Sequence, residues 1–567
     1  MMTGPSVRAG AWSAGWSTIL AAAALGPLLG ALLPGGGYLL LRDAVSTPRS
    51  HLTESALGLS DAAARAVPQD AAVAAATTVI DGGTLVVGVL FLALVAAGLG
   101  AARMTSRLLD TDATGPSLVA ATVAVWNPYV AERLLQGHWS LLVGYAALPW
   151  TVCAARRLRE RGDLRAAAPL VLCLGIAGLT PTGVLMCAAL ALVTLSAPGG
   201  VRRGWRVAVL VVSTVVVSAP WLVATALSGA GAGSDPSGVA AFAARAEPGL
   251  ATIGSLAGLG GIWNADAVPA SRTTLYAVVG TAVLLGLAAA GLPRLRRTAS
   301  PVAAALLLTG AVSVVLIALA ATPIGLDLGR WAAESVPGAG LFRDSQKWVA
   351  LWMPALALCA GAAVDGRRLR GAIVAVAALV IVLPDLAWGV HGAMRPVRYP
   401  TGWAEVTDRV GTSDASVAVL PGGTFRRFDW SGEAPVLDPA PRWLRADVLQ
   451  TGDLPVGAVT VQGESTVARR VESLLLRGAP ASDLADLGVG WILVETSPGE
   501  LGDSARTLTG LDRVYADEDL ALYAVPHPAS RVASAVWPVG AAHVLWALAI
   551  LAAGAVSVRE VRRDRIR

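Results

Sequence analysis

Apolar runs long enough to cross a bilayer recur along this chain, and its arginines fall in clusters between them. A helix needs roughly 20 apolar residues to span the hydrocarbon core. Where lipid replaces water, the backbone must satisfy its own hydrogen bonds within helices. The runs cover 17–34, 83–101, 116–126, 139–154, 166–179, 184–195, 207–227, 274–292, 302–321, 348–364, 372–390 and 536–556, which predicts about twelve spans. Threaded this way, Arg103 and Arg107, the cluster from 156 to 165, and those at 202–206, 294–297, 367–370 and 559–567 all fall on one side. Cytoplasmic loops are enriched in Lys and Arg, so both termini are expected inside and the intervening loops outside. The short pairs around Pro128 and Pro181 are expected to be broken or re-entrant.

Composition agrees. Charged residues make up 15% of the chain and hydrophobic ones 55%, whereas soluble domains are about 25% charged. The net charge of +5 is explained by clusters facing anionic membrane lipids. No nucleic-acid-binding signature accompanies it, so a nucleic-acid partner is not expected. Cys153, Cys173, Cys187 and Cys359 lie in or at the edge of apolar runs, which excludes a disulfide framework or a CxxC metal motif. The first run lacks a convincing cleavage site and reads as an uncleaved span.

Between 393 and 532 mixed charges appear. Ser416–Pro421 and Gly490–Glu495 read as buried strands, Leu520–Val525 as an edge or terminal strand, and Thr466–Arg477 as a helix. The expected organisation is a helical membrane bundle over 1–392, a small α/β extracytoplasmic domain over 393–532, and a last span with a basic tail over 533–567.

Three polar segments fall opposite the arginine face. Asp43 follows the first span and could be a general base or a solvated loop carboxylate. Glu132, Arg133 and His138 sit between two short spans. A Glu and a His there could join Asp43 around a divalent cation or simply line an interfacial loop. Arg343, Asp344 and Lys347, the last being the only lysine, precede another span. An arginine and a lysine together suit a phosphate, although snorkelling with an Arg343–Asp344 pair would also place them there. Phe425–Trp430 offers aromatics and cations for a carbohydrate, or an ordinary hairpin core.

The order of parts resembles the polytopic membrane glycosyltransferases with the GT-C fold, among them the actinobacterial YfhO-type and arabinofuranosyltransferase-like proteins. The resemblance is carried by Pro34-Gly35 and Asp43 in the first outer loop, Gly137-His138 before a span reaching Leu148-Pro149-Trp150, and Phe342-Arg343 with Lys347. Tyr399–Trp403 and Leu487–Val494 add to it. The resemblance implies sugar transfer from a polyprenyl-phosphate donor to a cell-envelope glycan or a protein, outside the cell membrane. Asp43 would then deprotonate the acceptor, Glu132 and His138 would line the cavity or a metal site, and Arg343 and Lys347 would grip the donor phosphate. A carrier or lipid flippase is one rival reading, and a non-catalytic envelope scaffold another. A carrier should show internal symmetry between halves, and the two halves here differ in loop plan.

Overall fold

The computed structural model describes residues 7–62, 64, 66–228, 234–364, 369–457, 459–530 and 536–566. Arg367, Arg368 and Arg567 from the expected clusters, and the expected boundary at 532, lie outside these. The helical part comprises α1 (Val7–Leu25), α2 (Gly82–Leu109), α3 (Thr114–Val125), α4 (Pro128–Gln136), α5 (Trp139–Arg161), α6 (Leu164–Ala177), α7 (Pro181–Ser196), α8 (Arg203–Leu227), α9 (Tyr276–Thr298), α10 (Pro301–Ala320), α11 (Met353–Ala362) and α12 (Leu369–Ile381), with a last helix over Val536–Ile566.

Side chains start these helices where the sequence offers them. Asp81 accepts from the N–H groups of Gly83 and Thr84 at the head of α2. Asn127 does so from Val130 ahead of Pro128 in α4, and Asp163 from Ala166 in α6. Each cap pairs a backbone donor that the first turn leaves orphaned.

Six helices among the described residues are long and apolar enough to cross a membrane, seven if the bent pair Leu369–Ile381 and Pro384–His391 is one span. The other expected spans fall on helices that are shorter or more charged, so about twelve full crossings are not reached by this measure. Packing gives the reason. All ten residues of α11 and nearly all of α3 are buried among other helices, so bilayer thickness does not set their length. The outer helices differ: Val211, Val212 and Val215 of α8, Leu308 and Leu316 of α10, and Leu548 and Leu551 of the last helix are exposed. Apolar ridges of this extent fit lipid rather than water.

The mixed-charge region forms an α/β unit. Its five-stranded sheet runs β8-β9-β7-β3-β6, with β3 (Ser416–Leu420), β6 (Val448–Leu449), β7 (Val489–Glu495), β8 (Asp512–Ala516) and β9 (Leu520–Ala524). β3 lies parallel to β6 and β7, and β9 antiparallel to β7 and β8. The strand expected to be an edge or terminal one, β9, is the last in chain order but interior in the sheet, because Asp512–Ala516, too polar to stand out, pairs outside it. Alternation along β3 divides the core. Val417 and Val419 pack with Trp403, Val406 and Val410 of α13 (Gly402–Val410). Ala418 and Leu420 pack with Val471 and Leu475 of α14 (Thr466–Leu476). Helices thus cover both faces, which explains why β3 reads as one apolar run. Phe428 and Trp430 stack at 4.7 Å against that core, and Arg426 is buried between Asp438 and Glu495. Phe425–Arg426 (β4) pairs antiparallel with Val436–Leu437 (β5), and within Phe425–Trp430 the side chains of Arg426, Phe428 and Trp430 are packed while Arg427 and Asp429 are exposed.

One small element joins the two parts. Leu40–Leu41 (β1) and Ala44–Val45 (β2) form a hairpin with Arg42 and Asp43 at its tip. The Leu40–Val45 pair packs into the core of the α/β unit. The Leu41–Ala44 pair packs into the helical core. Backbone bonds tie the same segment outward: Tyr38 and Val397 exchange bonds at 2.9 Å, and Leu437 donates to the carbonyl of Arg42 at 2.7 Å.

Candidate functional site

The hairpin tip is where the sequence-flagged residues begin to meet. Arg42 adopts a left-handed conformation with φ +46°, unusual outside glycine and suited to a two-residue turn. Its guanidinium donates to the carbonyls of Leu135 (2.7 Å) and Asp266 (2.5 Å). Asp43 then projects from the turn with its side chain 33% exposed.

Three consecutive residues hold Asp43 in place. Its backbone N–H donates to the carbonyl of Gln136 at 3.2 Å, and the Gln136 amide donates to its Oδ2 at 3.1 Å. His138 Nε2 lies 3.0 Å from the same oxygen. Between them Gly137, at φ +83°, lets the chain pass so closely that an added Cβ would sit 2.3 Å from the Ala44 nitrogen and 2.5 Å from the Leu41 carbonyl oxygen.

The network continues inward. Arg133 donates from one terminal nitrogen to His138 Nδ1 and to Asp344 Oδ2, each at 3.0 Å, and from the other to Gln346. Lys347 Nζ stands 3.4 Å from Asp344 Oδ2, and the Tyr129 hydroxyl donates to the Lys347 carbonyl at 3.1 Å. Arg133 is fully buried, whereas the Lys347 side chain is 25% exposed. A chain of charges therefore runs from one partly open end, Asp43, through a buried middle to the other, Lys347.

Its protonation states follow from the partners. The Arg133 guanidinium can only donate, so His138 Nδ1 must accept and Nε2 must carry the proton given to Asp43. Burial lowers the His138 pKa, and Lys347 and Arg133 lower it further against the pull of Asp43, leaving the ring neutral near pH 7. Burial alone would raise Asp43, but the hydrogen bonds from His138 and Gln136 and the charge of Lys347 hold it below the usual carboxylate range. Asp344 is likewise held well below that range, since Arg133 and Lys347 outweigh its burial.

Glu132 faces elsewhere. Its oxygens accept from the Gly261 N–H at 3.0 Å and from the Gln346 amide at 3.1 Å. Burial, followed by the buried Glu247, pushes its pKa up to about 8. The expected cation set of Asp43, Glu132 and His138 is therefore not gathered. Glu132 points from α4 toward the Gly260–Gly261 segment while His138 begins the next helix, and no group of three metal-binding side chains occurs among the described residues. Arg343 also departs from its neighbours: it lies over the Phe242 ring at 5.6 Å and 3.9 Å from Glu464 of the α/β unit. Asp43, Arg133, His138, Asp344 and Lys347 thus share one network, Glu132 touches it through Gln346, and Arg343 does not enter it.

Sequence reading noted Gln136 only as sharing a helix face with Glu132 and Gly137 only within the Gly137-His138 motif, and it gave no role to Gln346 or to the buried Glu247–Arg272 pair. Gln346 is completely buried and joins Glu132, Arg133 and the Gly260 carbonyl. An amide between Asp344 and Lys347 at the mouth of a span was the signal available.

No family model and no curated protein sequence matches the chain. Among solved structures it is similar to the cryo-EM structure of the arabinofuranosyltransferase AftD from Mycobacteria, with TM-score 0.58 at 17% identity over 92% of this chain and 40% of that one. A mutant of the same enzyme gives TM-score 0.57 at 17% identity, over 92% and 42%. The chain spans less than half the length of the enzyme it matches. At this identity the likeness is one of fold, and with six apolar crossing-length helices among its described residues the chain is built as a multi-pass membrane protein.

Proposed function

We propose that the protein is a GT-C-type membrane glycosyltransferase, moving a sugar from a polyprenyl-phosphate donor to a cell-envelope glycan or protein acceptor on the outer face. The observation that carries this reading is the partly open, ionised Asp43 linked through His138, Arg133 and Asp344 to the partly open Lys347. The AftD-like fold supports it. The arginine distribution supports an outward-facing hairpin, with both termini inside.

Asp43 takes the proton of the acceptor hydroxyl as that oxygen bonds to the anomeric carbon. The bond from that carbon to the donor phosphate breaks, and its electron pair leaves on the phosphate oxygen. The Lys347 ammonium stabilises the charge that develops there. A carboxylate held ionised is a weak base, yet it suits a proton that becomes acidic only as the new bond forms. His138 is a positioning residue in this scheme: its one proton is committed to Asp43 and its other nitrogen to Arg133. Arg343 serves the contact with the α/β unit.

The test is transfer of labelled sugar from a polyprenyl-phosphate donor by protein in nanodiscs. Asp43→Asn, which keeps the shape and removes the base, is expected to lower turnover by about 100-fold or more, the contribution of a positioned general base, with an unchanged unfolding midpoint. Wild-type turnover in that variant would refute the role. Lipid-linked sugar crossing liposomes without transfer would instead favour a flippase.

A further inference from the structure

Away from the charge network, an open cleft of about 570 Å³ lies where the segment leaving the hairpin meets the α/β unit. Its lining includes Arg49 and His51 from that segment, and Thr407, Asp408, Trp443 and Arg445 from the unit. Arg49 and Arg445 are exposed, and neither makes an ion pair among the described residues; Arg49 only reaches the Thr77 carbonyl at 3.5 Å. His51 lines the cleft with them, its pKa lowered by burial first and then by the charges of Arg445 and Arg49. Asp408 is the one carboxylate in this lining and forms no ion pair with either arginine among the described residues, so the cleft keeps a net positive charge that suits an anion, and two guanidinium forks match phosphate oxygens. Trp443, nearly buried, gives an apolar floor, and the exposed Asp408 adds an acceptor for hydroxyls, while the buried Thr407 hydroxyl is committed to the Trp403 carbonyl at 2.8 Å. A volume of this size fits a small ligand.

Position matters as much as lining. Arg49 follows Asp43 by six residues, so their backbones lie within about 20 Å, the reach of a fully extended segment of that length. We infer that this cleft binds a phosphate-bearing saccharide, Arg49 and Arg445 holding the phosphate and Trp443 flooring the sugar, as a remote subsite for the acceptor chain that presents its hydroxyl to Asp43. Its acceptor role rests on the proposed function; its ligand chemistry does not.

The test titrates full-length protein in neutral nanodiscs with mannose 6-phosphate, mannose and inorganic phosphate by calorimetry, and measures capture of vesicles carrying phosphatidylinositol. Mannose 6-phosphate is expected to bind more tightly than either part alone, and to weaken with salt. Arg49→Gln with Arg445→Gln should weaken it at least about tenfold, the loss expected of one charge-assisted hydrogen bond. Both side chains are exposed, so the unfolding midpoint should hold. Asp43→Asn should leave this binding intact, so a failure of the transferase reading and a failure of the cleft are separable. Unchanged binding in the double variant, phosphate alone binding as well as the sugar phosphate, or capture of vesicles with no affinity for the sugar phosphate would each overturn the assignment.

Discussion

His138 decides how far the site can tolerate acid. Its pKa lies below the ordinary 6.5, so the unfolded chain takes up this proton first. The stability tied to the neutral ring is whole above pH 6.5 and is lost as pH falls through the folded value. Protonation would also set an imidazolium nitrogen against Arg133. Transfer activity is therefore expected to decline on the acid side, below pH 6.5, as His138 takes up its second proton. In His138→Gln, an amide can still donate to Asp43, and the decline should shift toward the carboxylate's own titration; a pH profile retaining the wild-type acid limb would contradict this. At this scale the ionisable residues were legible because charge at membrane depth is costly and calls for a reason. The roles of Gln346 and Gly137 were not, because an amide bridge and a close backbone passage show only once distant segments meet.

Among elements, the β1–β2 hairpin matters most and was least visible in the sequence. Two-residue strands carry no periodicity, whereas the long helices and the apolar strands β3 and β7 announce themselves over many residues. The hairpin's seat is the gap left by Gly137, where a side chain meets both a strained φ and backbone at 2.3 Å. Gly137→Ala should displace the tip carrying Asp43. Activity is expected to drop more than tenfold, while stability falls by about 1–3 kcal/mol for a non-glycine residue held in such a conformation; activity assay and thermal unfolding of the same preparation check both. An active Gly137→Ala protein would mean that the tip need not be held so closely. The short helices explain the span count: α3 and α11 were found as apolar runs, but composition could not say that neighbours rather than lipid surround them.

Over the whole molecule, the pattern of exposure separates two solvents. Val312, midway along α10, is 45% exposed, and Leu501 of the α/β unit is similarly so at 49%. A buried-versus-exposed rule treats them alike, but the membrane reading does not. Val312→Asp should impair membrane integration, since an acidic residue at a helix centre costs about 2.5–3.5 kcal/mol on insertion. Leu501→Asp should change stability by no more than about 0.5 kcal/mol, as ordinary surface substitutions do. Alkaline extraction of membranes distinguishes them, and equal behaviour would remove the lipid assignment of α10. The sequence marked off an α/β region, yet not that the first outer loop completes its core, because Leu40 and Val45 lie more than 350 residues before its strands. That shared wedge has a genetic consequence. A gene cut near codon 393 would encode two polypeptides, neither able to order the turn bearing the carboxylate, so each half made alone should be inert. Co-expression should restore turnover only to the extent that the fragments find each other, which pull-down and assay of the paired fragments would measure.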